Sequence, residues 1–301
     1  MTDMTSSDHH GAHPAHRSVV TANAPRRAGR AVFFGVSALL FATSVAATIA
    51  GSRSMAAMGE IPMPGGWSLS TAWLPICGEG LVGVTASFLG MWAAMMVAMM
   101  LPALAPVLWR YRLAVGRTRG QAAERLAALV GAGYFLVWMA FGLAIFPIGA
   151  ALAMVEMQEP LLARATPVAA GVIVVIAGLL QFTAWKVHHL ACCREAPGRG
   201  QALNVQALNV QAVNVQALPT NAGTALRHGL RLGLHCAAGS AGLTAMLLVL
   251  GMMDLRVMAV VTAAITAERV LPDRAQIAPA IGAAIIAAGL LLIARAAGLS
   301  I

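Results

Sequence analysis

The sequence predicts an all-α polytopic membrane protein, a bundle of about seven transmembrane helices. Three observations carry that fold class. Of 301 residues, 59% are hydrophobic and 10% charged, whereas soluble domains carry about a quarter charged residues. Several apolar runs reach the roughly 20 residues that a bilayer span needs. No run shows the short alternation of a membrane barrel, so helices are left to satisfy the backbone polar groups in lipid.

Taken in order, the chain opens with a polar segment, residues 1–31, read as a disordered cytoplasmic tail. Its "HHGAHPAH" places His9, His10, His13 and His16 where loose metal contact and plain solvation fit equally. Val32–Ala50 is the first span. Basic residues before it, with Thr48 and Ala50 near its end, also suit a cleaved signal. The run is longer than a signal core and further spans follow, so an uncleaved helix is expected. In the loop Gly51 to Gly80, Trp67 and Trp73 suit the membrane interface.

Leu81–Leu101, Gly131–Val155 and Val168–Trp185 are the second to fourth spans. Residues 195–226 form a low-complexity cytoplasmic loop containing "QALNVQALNVQAVNVQALP". Its five-residue unit is too short for a solenoid and is read as a tandem expansion. Leu230–Gly251 is the fifth span, and Ala278–Ala297 the last. Between them Leu255–Leu271 is shorter, with Arg256 and Glu268 near its ends. Residues 32–298 are thus one transmembrane domain.

The net charge of +9 reports orientation and not nucleic-acid binding. Sixteen of the 20 basic residues fall before the first span or after the second, fourth and sixth, leaving Arg53, Arg164, Arg256 and Arg295 for the other side. The positive-inside rule then puts the N-terminus in the cytoplasm and the C-terminus outside. A bacterial inner membrane is the expected location, with the lipid bilayer as first partner. Four cysteines, Cys77, Cys192, Cys193 and Cys236, are too few and scattered for a disulfide framework. Reduced thiols are expected on the cytoplasmic side.

That orientation makes a loose set of side chains converge on one leaflet. "GMWAAMMVAMMLPALAP" packs five methionines into ten residues, with Met95, Met96, Met99 and Met100 in the cytoplasmic half of the second span. On the same side lie His188, His189, Cys192 and Cys193 after the fourth span. His228, His235 and Cys236 open the fifth, and Glu268 closes the sixth. If the fourth helix continues, His189 and Cys193 share a face, and so do His228 and His235. Imidazole and thiolate suit zinc or copper, and thioether with thiolate favours Cu(I). The plain alternatives are adaptable methionine packing, interfacial histidines, a structural ion pair at Glu268 and Arg269, and an interhelical hydrogen bond from Gln181.

Separated motifs also resemble a known group. Trp92, Met95, Ala98, Met99, Met100 and Pro102 match one signature. Gln181, Thr183, Lys186, Leu190, Cys193 and Arg194 match a second, and Arg227, His228, Gly229, Leu230, Cys236, Asp254, Glu268 and Pro272 a third. Over Leu81 to Gly298 the chain resembles the bacterial family of predicted metal-binding integral membrane proteins, a domain of unknown function. Two positions depart from it. His189 stands where similar proteins carry a cysteine, and Gly239 and Ser240 stand where a further cysteine is common. The resemblance therefore implies a mixed ligand set: Cys193, Cys236, His189, His228 or His235, with methionines.

The expected function is a transition-metal-binding membrane protein, copper before zinc. It would act as chaperone, scavenger or assembly factor beside a metalloprotein or other metal-handling partner. The alternative is a non-metal scaffold or partner subunit whose Met-rich helix only packs. No nucleophile–base set, phosphate loop or H-E-x-x-H argues for an enzyme. A retinal Schiff base fails because the sole lysine, Lys186, sits at a helix end.

Overall fold

The computed structural model of the chain describes residues 15–57, 59, 61–64, 67–69, 80–119, 122–192, 221–252, 254–271 and 274–298. It divides into two units, Met1–Leu39 and Leu40–Ile301. The described part of the first is the opening half of helix α1, Ala15–Ala57. There Arg30 lies over the Phe34 ring at 5.8 Å, and Val32, Val36 and Leu39 are exposed.

The second unit holds the end of α1, a short hairpin and seven further helices. Strands β1, Ile61–Met63, and β2, Trp67–Leu69, pair antiparallel with Met63 opposite Trp67. Period-2 patterning is too brief there to reveal strands. Trp67, expected at the lipid interface, donates its indole N–H to the Ala163 carbonyl at 2.8 Å. The helices are α2 Leu81–Arg119, α3 Ala122–Gln158, α4 Pro160–Leu180, α5 Ala184–Cys192, α6 Ala222–Leu250, α7 Leu255–Val270 and α8 Arg274–Ala296.

Six helices are long and apolar enough to cross a membrane: residues Ala28–Ala57, Val82–Gly116, Ala122–Gln158, Pro160–Leu180, Ala222–Leu250 and Ile277–Ala296. Helix α7 has 16 residues. At ~1.5 Å per residue it spans about 24 Å, short of the ~30 Å hydrocarbon core. Large apolar side chains such as Leu136, Leu143, Ile148, Leu179 and Leu290 face outward. A lipid-facing helix surface requires this.

Local chemistry sets several ends. Asn221 and Thr224 form a reciprocal capping box at the start of α6. Gly251, with φ of +113°, takes the chain out of α6 through a conformation that favours glycine. Asp254 then accepts from the Arg256 and Val257 amides at 2.7 and 3.3 Å to begin α7. Helix α2 runs on past Pro102 and Pro106, beyond the end at Leu101 that its apolar run indicates.

Small residues bring the helices together, as lipid-embedded packing demands. Helices α3 and α6 meet where a Cβ on Gly133 would lie 2.5 Å from the Leu226 carbonyl oxygen. Helices α4 and α8 approach across Gly171, Gly178, Gly282 and Gly289. The α3–α6 approach fixes the level at which the site residues meet.

Candidate metal centre

The fourth apolar run does not continue as one helix. Helix α4 stops at Leu180, and the Thr183 hydroxyl donates back to the Leu180 carbonyl at 2.7 Å. The same hydroxyl accepts from the Lys186 amide at 3.4 Å and so starts α5. This break re-aims α5 against α6. His189 Nδ1 then lies 3.1 Å from His235 Nδ1, with ring centroids 5.4 Å apart. Gly239, at a position where a cysteine was the family expectation, lies beside the pair: a Cβ there would make an ordinary contact with that of His189, at 3.5 Å.

Burial, and then the neighbouring His235 and His188 rings, hold the His189 imidazole below its ordinary value. It is therefore neutral at neutral pH, the state in which it can ligate. Trp185 stands edge-on to it at 4.6 Å. Both paired histidines line a cavity of about 550 Å³.

Cys236, the next residue on α6, faces the protein interior and is fully buried. The Tyr134 hydroxyl lies 2.7 Å from its sulfur. Arg269 donates to that sulfur at 2.8 Å and to the Cys236 carbonyl at 3.4 Å. Arg269 holds a lone pair that a metal would need, and the Tyr134 hydroxyl occupies a second side of the sulfur, so ligation here requires Tyr134 or Arg269 to give way. Glu268 pairs with Lys186 Nζ at 2.9 Å, where the sequence suggested Arg269. The partner lies 82 residues away. Burial lowers the Lys186 ammonium from its ordinary value, and Glu268 pulls it the other way.

Met95, Met96, Met99 and Met100 are each 2% exposed or less. They share one contiguous buried cluster with Trp92, Tyr134, Trp138 and Cys236. Trp92 donates its indole N–H to the Trp138 carbonyl at 2.8 Å. His228 does not join the histidine pair; it stacks on Tyr111 at 5.9 Å. Among the described residues the buried side-chain amide of Gln181 finds no hydrogen-bond partner, so the interhelical bond expected of it is not seen there. Cys193, Cys77 and the tail residues His9, His10 and His13 lie outside the described residues. Among the described residues no three or more His, Cys, Asp or Glu side chains are grouped to hold a metal.

Sequence reasoning named His189, His235 and Cys236 but missed Tyr134 and Arg269 as their neighbours. The available signal was Tyr134 itself, a hydroxyl in an apolar span that needs a partner.

The family model of PpoB2, described as a copper chaperone, matches residues 89–292. The chain belongs to the PpoB2 copper chaperone family. No curated protein and no solved structure matches it. The matched range contains every site element just described, from the methionines of α2 to Glu268 and Arg269 of α7. Membership supports a copper-handling role and, with it, the resemblance to metal-binding membrane proteins at that level.

Proposed function

We propose that this PpoB2-family protein is a copper chaperone of the bacterial inner membrane, with a cytoplasmic N-terminus and α7 completing seven crossings. It receives Cu(I) as cargo at His189 and His235. The observation that carries the reading is the 3.1 Å approach of the two ring nitrogens at a cavity wall. Closed structural metal sites take four protein ligands. Two imidazoles alone make an open site that can exchange its metal, which a carrier must do. Cys193 is the candidate third ligand from the sequence, and a metalloprotein partner would complete the transfer. Cys236 and the α2 methionines are proposed as an inner relay, reached when Arg269 moves. The burial of all four methionines favours packing as their first role. Zinc receives no support from this geometry.

The deciding experiment is Cu(I) titration of purified protein against a His189→Ala, His235→Ala variant. One equivalent in the wild type, with affinity at least a hundredfold lower in the variant, is expected. Equal binding, or none in either protein, would return the chain to the scaffold reading.

A pH dependence follows. With the His189 pKa held below its ordinary value, protons compete with copper for that ring at lower pH than for a free imidazole. The His189 contribution to affinity, wild type against His189→Ala, should therefore be lost only toward more acidic pH than a free imidazole shows, measured with a copper competitor of known pH response. Loss of that contribution at or above the free-imidazole range would contradict the assignment.

A further inference from the structure

We propose that the cavity beside the histidine pair is a lipid site. It takes one hydrocarbon chain of an anionic phospholipid and holds the phosphate at Arg227 and Arg231. This rests on the membrane reading above and not on the copper reading.

The cavity, about 550 Å³, is walled by α3 at Trp138 and Ile145 and by α6 from Arg231 to Leu248. Those seventeen residue steps of α6 cover about 25 Å at ~1.5 Å each. A slot of that length suits an extended hydrocarbon chain, whose carbons meet the wall at ~4 Å.

The wall's chemistry agrees. Ala237, Ala241 and Ala245 recur at each turn of α6 and line the cavity. Phe141 and Leu234, at its margin, are exposed to the surroundings of the bundle. Along those alanines water would find no hydrogen-bond partners, so the apolar stretch, open toward lipid, suits a hydrocarbon chain.

One end is different. Arg231 lines the cavity, and Arg227 stands one turn earlier on α6; both are exposed. Neither takes part in an ion pair among the described residues. Two cations at the end of an apolar slot present the complement of a phosphate with its acyl tail. The bound chain would pass His189 and His235 and screen the pair from the bilayer.

The test is native mass spectrometry of the full-length protein in mild detergent, with dioleoyl phosphatidylglycerol or phosphatidylcholine added. One phosphatidylglycerol retained per wild-type chain is expected. Ala241→Phe, which fills the slot from an exposed position, should lose it at an unchanged melting temperature. Arg227→Gln with Arg231→Gln should reduce the preference for phosphatidylglycerol about tenfold or more. If Ala241→Phe does not fold, Ala245→Leu and the arginine variant carry the test. Equal retention by wild type and slot-filled variant, equal retention of the two lipids by wild type, or an isoprenoid quinone held in their place would overturn the proposal. A protein that stays in aqueous solution without detergent would instead overturn the membrane reading beneath it.

Discussion

Glu268→Gln is expected to lower stability by about 3–5 kcal/mol, the cost of leaving a buried charge without its partner. Lys186 Nζ and the Glu268 carboxylate lie 2.9 Å apart, with side chains 5% and 3% exposed. They join α5 to α7. Removing the carboxylate strands an ammonium that bulk water cannot reach. Replacing the pair together, Lys186→Met with Glu268→Leu, should be nearly neutral or stabilising, because well-packed apolar residues avoid the desolvation of both ions. Thermal unfolding in detergent compares the three proteins. A single variant within ~1 kcal/mol of wild type would show that the pair behaves as an exposed one. Arg269 adjoins Glu268 and donates to Cys236, so the single variant should also disturb the sulfur's surroundings.

Gly229→Ala should cost about 3 kcal/mol or more, the upper end for overpacking. A Cβ at Gly229 would overlap the Val130 carbonyl oxygen and lie 2.9 Å from its carbon and 3.0 Å from its Cα. All three are backbone atoms, which cannot rotate aside as a side chain can. Helix α6 would have to separate from α3, pulling Cys236 from Tyr134. Gly90→Ala is the control: a Cβ there meets nothing within 4 Å. In a helix that change should stabilise by about 0.5–1 kcal/mol. Melting temperatures that moved alike in both variants would remove the close α3–α6 approach as the cause.

The apolar runs were legible because a bilayer imposes length and composition on each segment separately. Six of them reappear as helices able to cross, and the expected convergence of ligand residues has one direct counterpart in the approach of His189 to His235. Less was legible at the ends. The stop at Leu180 depends on the Thr183 hydroxyl choosing the Leu180 carbonyl, and no apolar periodicity records that choice. The methionine ladder was ambiguous for another reason. Thioethers at helical spacing fit both a core and a metal wall, and only burial shows that they pack among Trp92, Trp138 and Tyr134.

The sequence by itself determined the helical class of the molecule and, to within one, the number of helices apolar and long enough to cross a membrane, and it named candidate soft-metal ligands. These follow from local composition and from spacing within single helices. Only the tertiary structure decided which residues meet. It turned α5 so that His189 reaches His235, placed Tyr134 and Arg269 on the Cys236 sulfur, and gave Glu268 to Lys186 in place of its neighbour. The reason is physical: in a helix bundle a residue's partner is chosen by how closely two backbones approach. That approach is set at bare-backbone positions such as Gly133 and Gly229, away from the side chains they align.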